Sequence, residues 1–178
     1  MVERILDFWF VEAGEGAWWA GDPAFDELVR SRFGRVLAQA SFGELWAWRA
    51  RPRGRLAEIL VLDQFSRNIH RGTPAAFACD PMALVLAQEA VAADALGALS
   101  PIERCFVLMP YMHSESPAIH IEAERLFREH APPGNLEFEL RHKAIIDRFG
   151  RYPHRNAILR RPSTPEELAF LDTTGSSF

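Results

Sequence analysis

The sequence predicts an all-α fold with about eight or nine helices. Apolar residues recur with the period of an α-helix, for example from Phe25 through Val29 and Phe33 to Leu37. Helix-start signals, in which a capping residue precedes a proline, recur along the chain, as at Asp22-Pro23. No segment alternates apolar and polar residues as a half-buried strand would.

The first half of the chain predicts four helices. Residues 3–11 form a short apolar helix, and Asp22-Pro23 begins the second helix. Ser41 and Glu44 have the spacing of a capping box, which predicts a short helix over residues 41–48. Residues 56–65 are apolar almost all round, which indicates a helix buried between its neighbours.

The second half predicts the remaining helices from the same signals. Asp80-Pro81 starts one helix with Asp80 as its N-cap, and Ser100 with Glu103 forms a capping box for the next. Pro110 is expected to interrupt that helix and to open a bend that leads into a further helix. A helix over 136–149 and a short helix from Pro165 complete the chain.

Length and composition predict a single all-α domain over residues 1–178 and exclude several classes of protein. The net charge of −4 argues against a nucleic-acid partner. Only Cys79 and Cys105 are present, so reduced thiols in a cytoplasmic protein are expected. No apolar run approaches the ~20 residues that cross a bilayer, so no membrane partner is expected.

Two distant segments share one pattern, an apolar residue followed by Asp-x-Phe-x-Arg-x-x-His-Arg. The first runs from Leu62 to Arg71 and the second from Ile146 to Arg155. We call them the repeated segments. Four arginines against two aspartates predict an excess of positive charge, which suits a phosphate or a carboxylate ligand. We therefore expect the two segments to fold onto a shared polar site.

His113 and Glu115 add an imidazole and a carboxylate just after a proline, a combination suited to proton transfer. With His154 they are the candidate catalytic residues. The candidate ligand-binding residues are further polar side chains of the repeated segments, together with two residues just outside them, His142 and Asn156: Asp63, Arg67, Asn68, His70, Arg71, His142, Asp147, Arg151, Arg155 and Asn156.

Structural alternatives stand beside these assignments. His113 and Glu115 would serve equally well to cap Ser116-Pro117 and to bind a neighbouring loop. The arginines and aspartates would equally form internal salt bridges after two core helices. A metal site is not predicted, because no tight ligand spacing such as His-Glu-x-x-His occurs.

Short motifs spread over essentially the whole chain carry a family resemblance. They are Leu62-Asp63-Gln64-Phe65, Arg67-Asn68, Phe77, Asp80, Pro110, His113-Ser114-Glu115, Arg148-Phe149-Gly150-Arg151, Pro153-His154-Arg155-Asn156 and Thr164-Pro165-Glu166-Glu167. In these the chain resembles a bacterial family catalogued as domain of unknown function 924. The resemblance implies a right-handed helical array similar to tetratricopeptide repeats. Arg160 stands where the family has glycine, and His120 where it has glutamine.

Two functions follow from these observations. The first is a polar Arg/His/Asp cleft that binds a small anionic molecule and supports acid/base catalysis. The alternative is a helical-repeat module that binds a protein or a peptide. The sequence leaves open whether the protein is an enzyme, which cofactor it uses and what oligomer it forms.

Overall fold

Helices make up most of this protein. The structure, a computed structural model, describes residues 1–132 and 134–176. In this part the chain is 74% helical with nine helices and no strand, which confirms the predicted all-α class. The similarity to tetratricopeptide repeats stays a prediction. The helices are α1 (Val2–Asp7, continued by a π-helical turn Phe8–Ala13), α2 (Glu15–Trp18), α3 (Pro23–Ser41), α4 (Pro52–Leu60, a π-helical turn Val61–Phe65, and Ser66–Ile69), α5 (Asp80–Ala92), α6 (Pro101–Met112), α7 (Pro117–His130), α8 (Asn135–Phe149) and α9 (Pro165–Leu171).

Several helices begin where local capping predicts. The Asp22 carboxylate accepts a hydrogen bond from the Ala24 amide at the start of α3. Both halves of a capping box join Ser100 and Glu103 at the start of α6. Such caps satisfy amide groups that the first helical turn leaves without partners.

Three predicted boundaries were wrong. α3 extends to Ser41, and a turn and a 3₁₀-helix, Trp46–Ala50, occupy most of the predicted helix 41–48. Cys79, and not Asp80, is the N-cap of α5, because the Asp80 carboxylate binds Arg67. Pro110 lies inside α6, which ends two residues later at Met112. In each case tertiary packing outweighs a local preference.

α4 lies at the centre of the fold. It contacts α1, α3, α5 and α6, so apolar side chains on every side of it are buried. Phe65, on this helix, packs against the rings of Phe8, Trp9 and Phe33. This contact accounts for the nearly continuous apolar sequence of the helix.

Two connections meet near the end of α6. One is the bend over residues 113–116 between α6 and α7, and the other is the connection 150–164 between α8 and α9. The Tyr152 amide donates a hydrogen bond to Glu115, and Arg155 donates one to the His113 carbonyl. These bonds bring the second repeated segment to the bend.

One stretch, 74–92, is long and apolar enough to span a membrane by length and composition alone. It comprises a 3₁₀-helix, Pro74–Phe77, and α5, which packs against α4 and α6. Because core helices pass the same test, the stretch is weak evidence for a membrane span.

Arg160 adopts a left-handed backbone conformation, with φ of 56°. A side chain costs about 1–2 kcal/mol in this conformation, which glycine adopts freely. We expect Arg160→Gly to raise the free energy of unfolding by about 0.5–1 kcal/mol in a urea titration. Arg160→Ala keeps the Cβ atom and should give no such gain; an equal gain would show that the charge, not the backbone, is the cause.

Candidate functional site

Asp63 lies in the π-helical turn of α4, and its side chain is only 1% exposed. A π-helical turn inserts one residue and rotates the side chains around it, and such turns are frequent at functional sites. An ionised carboxylate in this position needs several partners, because burial without them costs several kcal/mol.

The partners of Asp63 include His113 on the neighbouring helix end. Oδ1 of Asp63 lies 2.7 Å from Nδ1 of His113. Oδ2 of Asp63 accepts a hydrogen bond from the side-chain amide of Gln64 at 2.6 Å. Burial opposes ionisation of Asp63, but the charge of Arg67 and then the interaction with His113 outweigh it and lower the pKa of Asp63. An ionised carboxylate only accepts hydrogen bonds, so Nδ1 of His113 is the donor.

The second nitrogen of the His113 ring, Nε2, can accept a hydrogen bond. Burial, followed by the charge of Arg67, lowers the pKa of His113, so the ring is neutral at pH 7. With its proton on Nδ1, a neutral ring offers Nε2 as an acceptor. Nε2 makes no hydrogen bond within residues 1–132 and 134–176, and the side chain is 15% exposed.

Asp80 joins the two repeated segments. Its two oxygens accept hydrogen bonds from Nη1 and Nη2 of Arg67 at 2.9 and 3.0 Å. Nη1 of Arg155 lies farther away, 3.4 Å from Oδ2 of Asp80, and donates to the His113 carbonyl at 3.1 Å. Asp80 therefore brings one residue of each repeated segment together, Arg67 and Arg155.

Arg155 is the least completely paired of these cations. Its side chain is 7% exposed, and its guanidinium lies 4.7 Å from the Phe77 ring centroid and 4.5 Å from that of Tyr152. Its Nε is buried and has no hydrogen-bond partner among the residues that the structure describes. Burial and then the charge of Arg67 lower the pKa of Arg155. A buried donor without a partner costs about 1–3 kcal/mol.

Glu115 holds the second connection in place. Its carboxylate accepts hydrogen bonds from Nη1 and Nη2 of Arg161 at 2.5 and 2.9 Å and from the Tyr152 amide at 2.8 Å. Burial raises the pKa of Glu115, but the bonds from Arg161 and Tyr152 outweigh it and lower the pKa overall. Both oxygens of the Glu115 carboxylate therefore bind the connection 150–164.

Arg151 and Asn156 belong to a further network around Glu167. Nε and Nη2 of Arg151 donate to the Glu167 oxygens at 2.6 and 2.7 Å, and the Asn156 amide donates at 3.3 Å. The hydrogen bond from Arg151 lowers the pKa of Glu167 to about 2. Glu167 also completes a capping box with Thr164, so this network fixes the start of α9.

Two histidine rings, those of His142 and His154, lie close to the buried ring of Tyr152. Its ring centroid lies 5.8 Å from that of His142 and 5.6 Å from that of His154. Burial lowers the pKa of His142 to about 3 and that of His154 to about 4. Both imidazoles are therefore neutral at pH 7.

The structure places four candidate residues away from His113. Asn68 and Arg71 bind the two oxygens of Asp26 on α3. Asp147 pairs with Lys143 one turn away on the exposed side of α8. His70 lines an apolar depression.

The expected excess of positive charge is offset by carboxylates outside the repeated segments. Asp80 pairs with Arg67 and Arg155, Asp26 with Arg71, and Glu167 with Arg151. Sequence reasoning did not assign these three carboxylates, nor Tyr152, to the site. Asp80 and Glu167 did stand in the motifs of the family resemblance, which is the one signal that pointed to them.

Two surface depressions lie elsewhere. One, of about 350 Å³, lies between α3 and the connection after α4 and includes Leu37, His70 and Cys79. The other, of about 160 Å³, includes Asp7 and Arg32. Within the described residues, no three His, Cys, Asp or Glu side chains stand close enough to hold a metal ion.

Comparison with known proteins agrees with the resemblance seen in the sequence. Residues 5–175 match the family described as a bacterial protein of unknown function, DUF924. A protein of unknown function from Agrobacterium tumefaciens has a similar structure, with a TM-score of 0.91 and 38% identity over 96% of each chain. No curated protein matches the chain significantly.

Proposed function

The chain belongs to the DUF924 family of bacterial proteins of unknown function, and from its own side chains we propose that His113, Asp63 and Arg155 form a binding site for a small anionic molecule. The observation that carries this proposal is the 2.7 Å bond between Asp63 and Nδ1 of His113. It orients a neutral imidazole with an acceptor nitrogen at the partly exposed end of a buried polar network.

Arg155 supports the anionic character of the ligand. Both oxygens of Asp80 accept hydrogen bonds from Arg67. Arg155 makes only a 3.4 Å contact with the same carboxylate. A buried guanidinium with a donor left over is unfavourable unless another acceptor arrives. A carboxylate or phosphate oxygen is the acceptor that arginine binds best.

His113 requires that the ligand also carry a hydrogen-bond donor. Since Nε2 of His113 accepts, the ligand has to bring a donor beside its anionic group. A hydroxy acid or a singly protonated phosphate has both. In a reaction, His113 would take the proton of that hydroxyl as general base, and Asp63 would stabilise the resulting imidazolium.

The other two candidate catalytic residues have different places in this proposal. Glu115 positions the bend through Arg161 and does not act as an acid or a base. His154 is neutral and close to Arg155, so its ring lines the site without adding charge. We also propose a cytoplasmic location, which the two free cysteines support.

Thermal unfolding with matched ligands tests the proposal. Lactate and inorganic phosphate should raise the Tm of the wild type by roughly 5–10 °C at about 100 times Kd. Propionate has the carbon skeleton of lactate without its hydroxyl group, so it should raise the Tm less.

Variants test whether the rise in Tm with lactate comes from binding at His113 and Arg155. Arg155→Gln and His113→Gln should each lose most of the response to lactate. Arg148→Gln is the control, because Arg148 pairs with Glu166 on the exposed surface, and it should respond as the wild type does. The proposal fails if none of these anions stabilises the wild type, or if Arg155→Gln responds fully.

A further inference from the structure

His120 and Glu139 form a fully buried pair between α7 and α8. Both side chains are 0% exposed, and Nδ1 of His120 lies 2.8 Å from Oε1 of Glu139. The other oxygen, Oε2, is buried and has no hydrogen-bond partner within the described part of the chain. The contacts of His120 identify which of the two side chains carries the proton between them.

The far side of the His120 ring determines its tautomer. Nε2 lies 2.9 Å from the Ser114 carbonyl oxygen, which can only accept. The Tyr152 hydroxyl, 3.2 Å from Nε2, already donates its proton to the Met112 carbonyl. Nε2 of His120 must therefore carry a hydrogen and donate it to Ser114.

Two arrangements remain for the bridge between Nδ1 and Oε1. Either a neutral Glu139 donates its proton to a neutral imidazole, or an imidazolium donates to a carboxylate. The second arrangement buries two full charges and leaves a carboxylate oxygen without any donor, which is costly. In the first arrangement Oε2 is only the carbonyl oxygen of a neutral acid.

The surroundings of Glu139 favour the neutral acid. Besides His120, the titratable groups that act on it are Lys143 on its own helix and Glu124 on α7. Burial outweighs the lowering effects of His120 and Lys143 and raises the pKa of Glu139. A raised carboxyl pKa is the direction expected of an acid that stays protonated.

We infer that Glu139 is a buried neutral acid that donates its proton to His120 and thereby fixes the imidazole tautomer that holds the Ser114 carbonyl. Ser114 lies between His113 and Glu115, so Glu139 and His120 are positioning residues for the bend that carries both. The consequence for ligand binding rests on the proposed function, whereas the position of the proton does not.

Infrared spectroscopy tests the proton directly. The wild type at pH 7 should show the C=O stretch of a protonated carboxylic acid shielded from solvent, and Glu139→Gln should lack this band. If no such band disappears in Glu139→Gln, Glu139 is a carboxylate and the inference is wrong.

Two further variants test the positioning role through hydrogen-bond polarity. Glu139→Gln retains a donor toward Nδ1, so its Tm should stay within about 3 °C of the wild type. Glu139→Leu has a similar volume but no donor, and its Tm should fall by roughly 5 °C or more because it leaves Nδ1 without a partner. A larger fall for Glu139→Gln than for Glu139→Leu would contradict the inference.

Ligand response separates the two proposals. With lactate as the probe, Glu139→Gln should keep the wild-type rise in Tm, and Glu139→Leu should lose at least half of it. If lactate stabilises none of the proteins, the anion site is wrong, while the infrared band still decides the state of Glu139. If lactate stabilises wild type and Glu139→Leu equally, the positioning role is wrong and the anion site stands.

Discussion

Replacing Asp63 by asparagine should lower the free energy of unfolding by about 3–5 kcal/mol. The carboxylate accepts from His113 and Gln64 and lies 3.2 Å from Arg67, all within the buried centre of the fold. An asparagine side chain has no charge to offset Arg67, and its amide group must face another donor. Urea unfolding at pH 7 measures this loss.

Asp147 provides the matched control, because it occupies the same place in the second repeated segment. Its carboxylate is 49% exposed and pairs with Lys143 one helical turn away. Such surface pairs contribute about 0.3–0.5 kcal/mol, so Asp147→Asn should be nearly neutral. If the two variants were equally stable, the buried network around Asp63 would not have the importance that we assign to it.

The protein should lose about 3 kcal/mol of stability between pH 7 and pH 5. Burial lowers the pKa values of His113, His142 and His154 in the folded chain, the last two to about 3 and about 4. Below pH ~6.5 the unfolded chain binds protons at these histidines that the folded chain does not, so acid favours unfolding. Glu139, whose pKa is raised, has the opposite effect and reduces this loss.

Urea titrations at half-unit pH steps measure this dependence. Acidic groups whose pKa is lowered by folding, such as Asp63 and Glu167, lose their contribution only below about pH 4.5 and do not affect this interval. His142→Asn can still donate to the Phe138 carbonyl, as Nδ1 of His142 does, and should reduce the loss by about 2 kcal/mol. Stability that is constant or rises from pH 7 to pH 5 would show that these histidines are not held neutral.

The sequence predicted the features that depend on nearby residues. The caps at Asp22 and Ser100 form as expected, because each involves amides within one helical turn. The buried character of α4 was also readable, since a helix that is apolar all round has to be surrounded. Pro110 was misjudged, because α6 tolerates it close to the helix end.

The pairing of the charges could not be predicted in the same way. Arg71 binds Asp26 across 45 residues, and Arg155 reaches Asp80 across 75. Ion pairs of this range depend on how helices pack, and one sequence carries no record of that. The repeated pattern itself was informative only in part, since Asp63 is buried in α4 whereas Asp147 faces outward from α8.

The protonation of His113 is the most direct test of the site. Long-range ¹H–¹⁵N spectra at pH 7 should show a neutral His113 ring with its proton on Nδ1, and Asp63→Asn should weaken or abolish that preference. A ring that carries its proton on Nε2, or on both nitrogens, would leave no acceptor for a ligand and would contradict the proposed site.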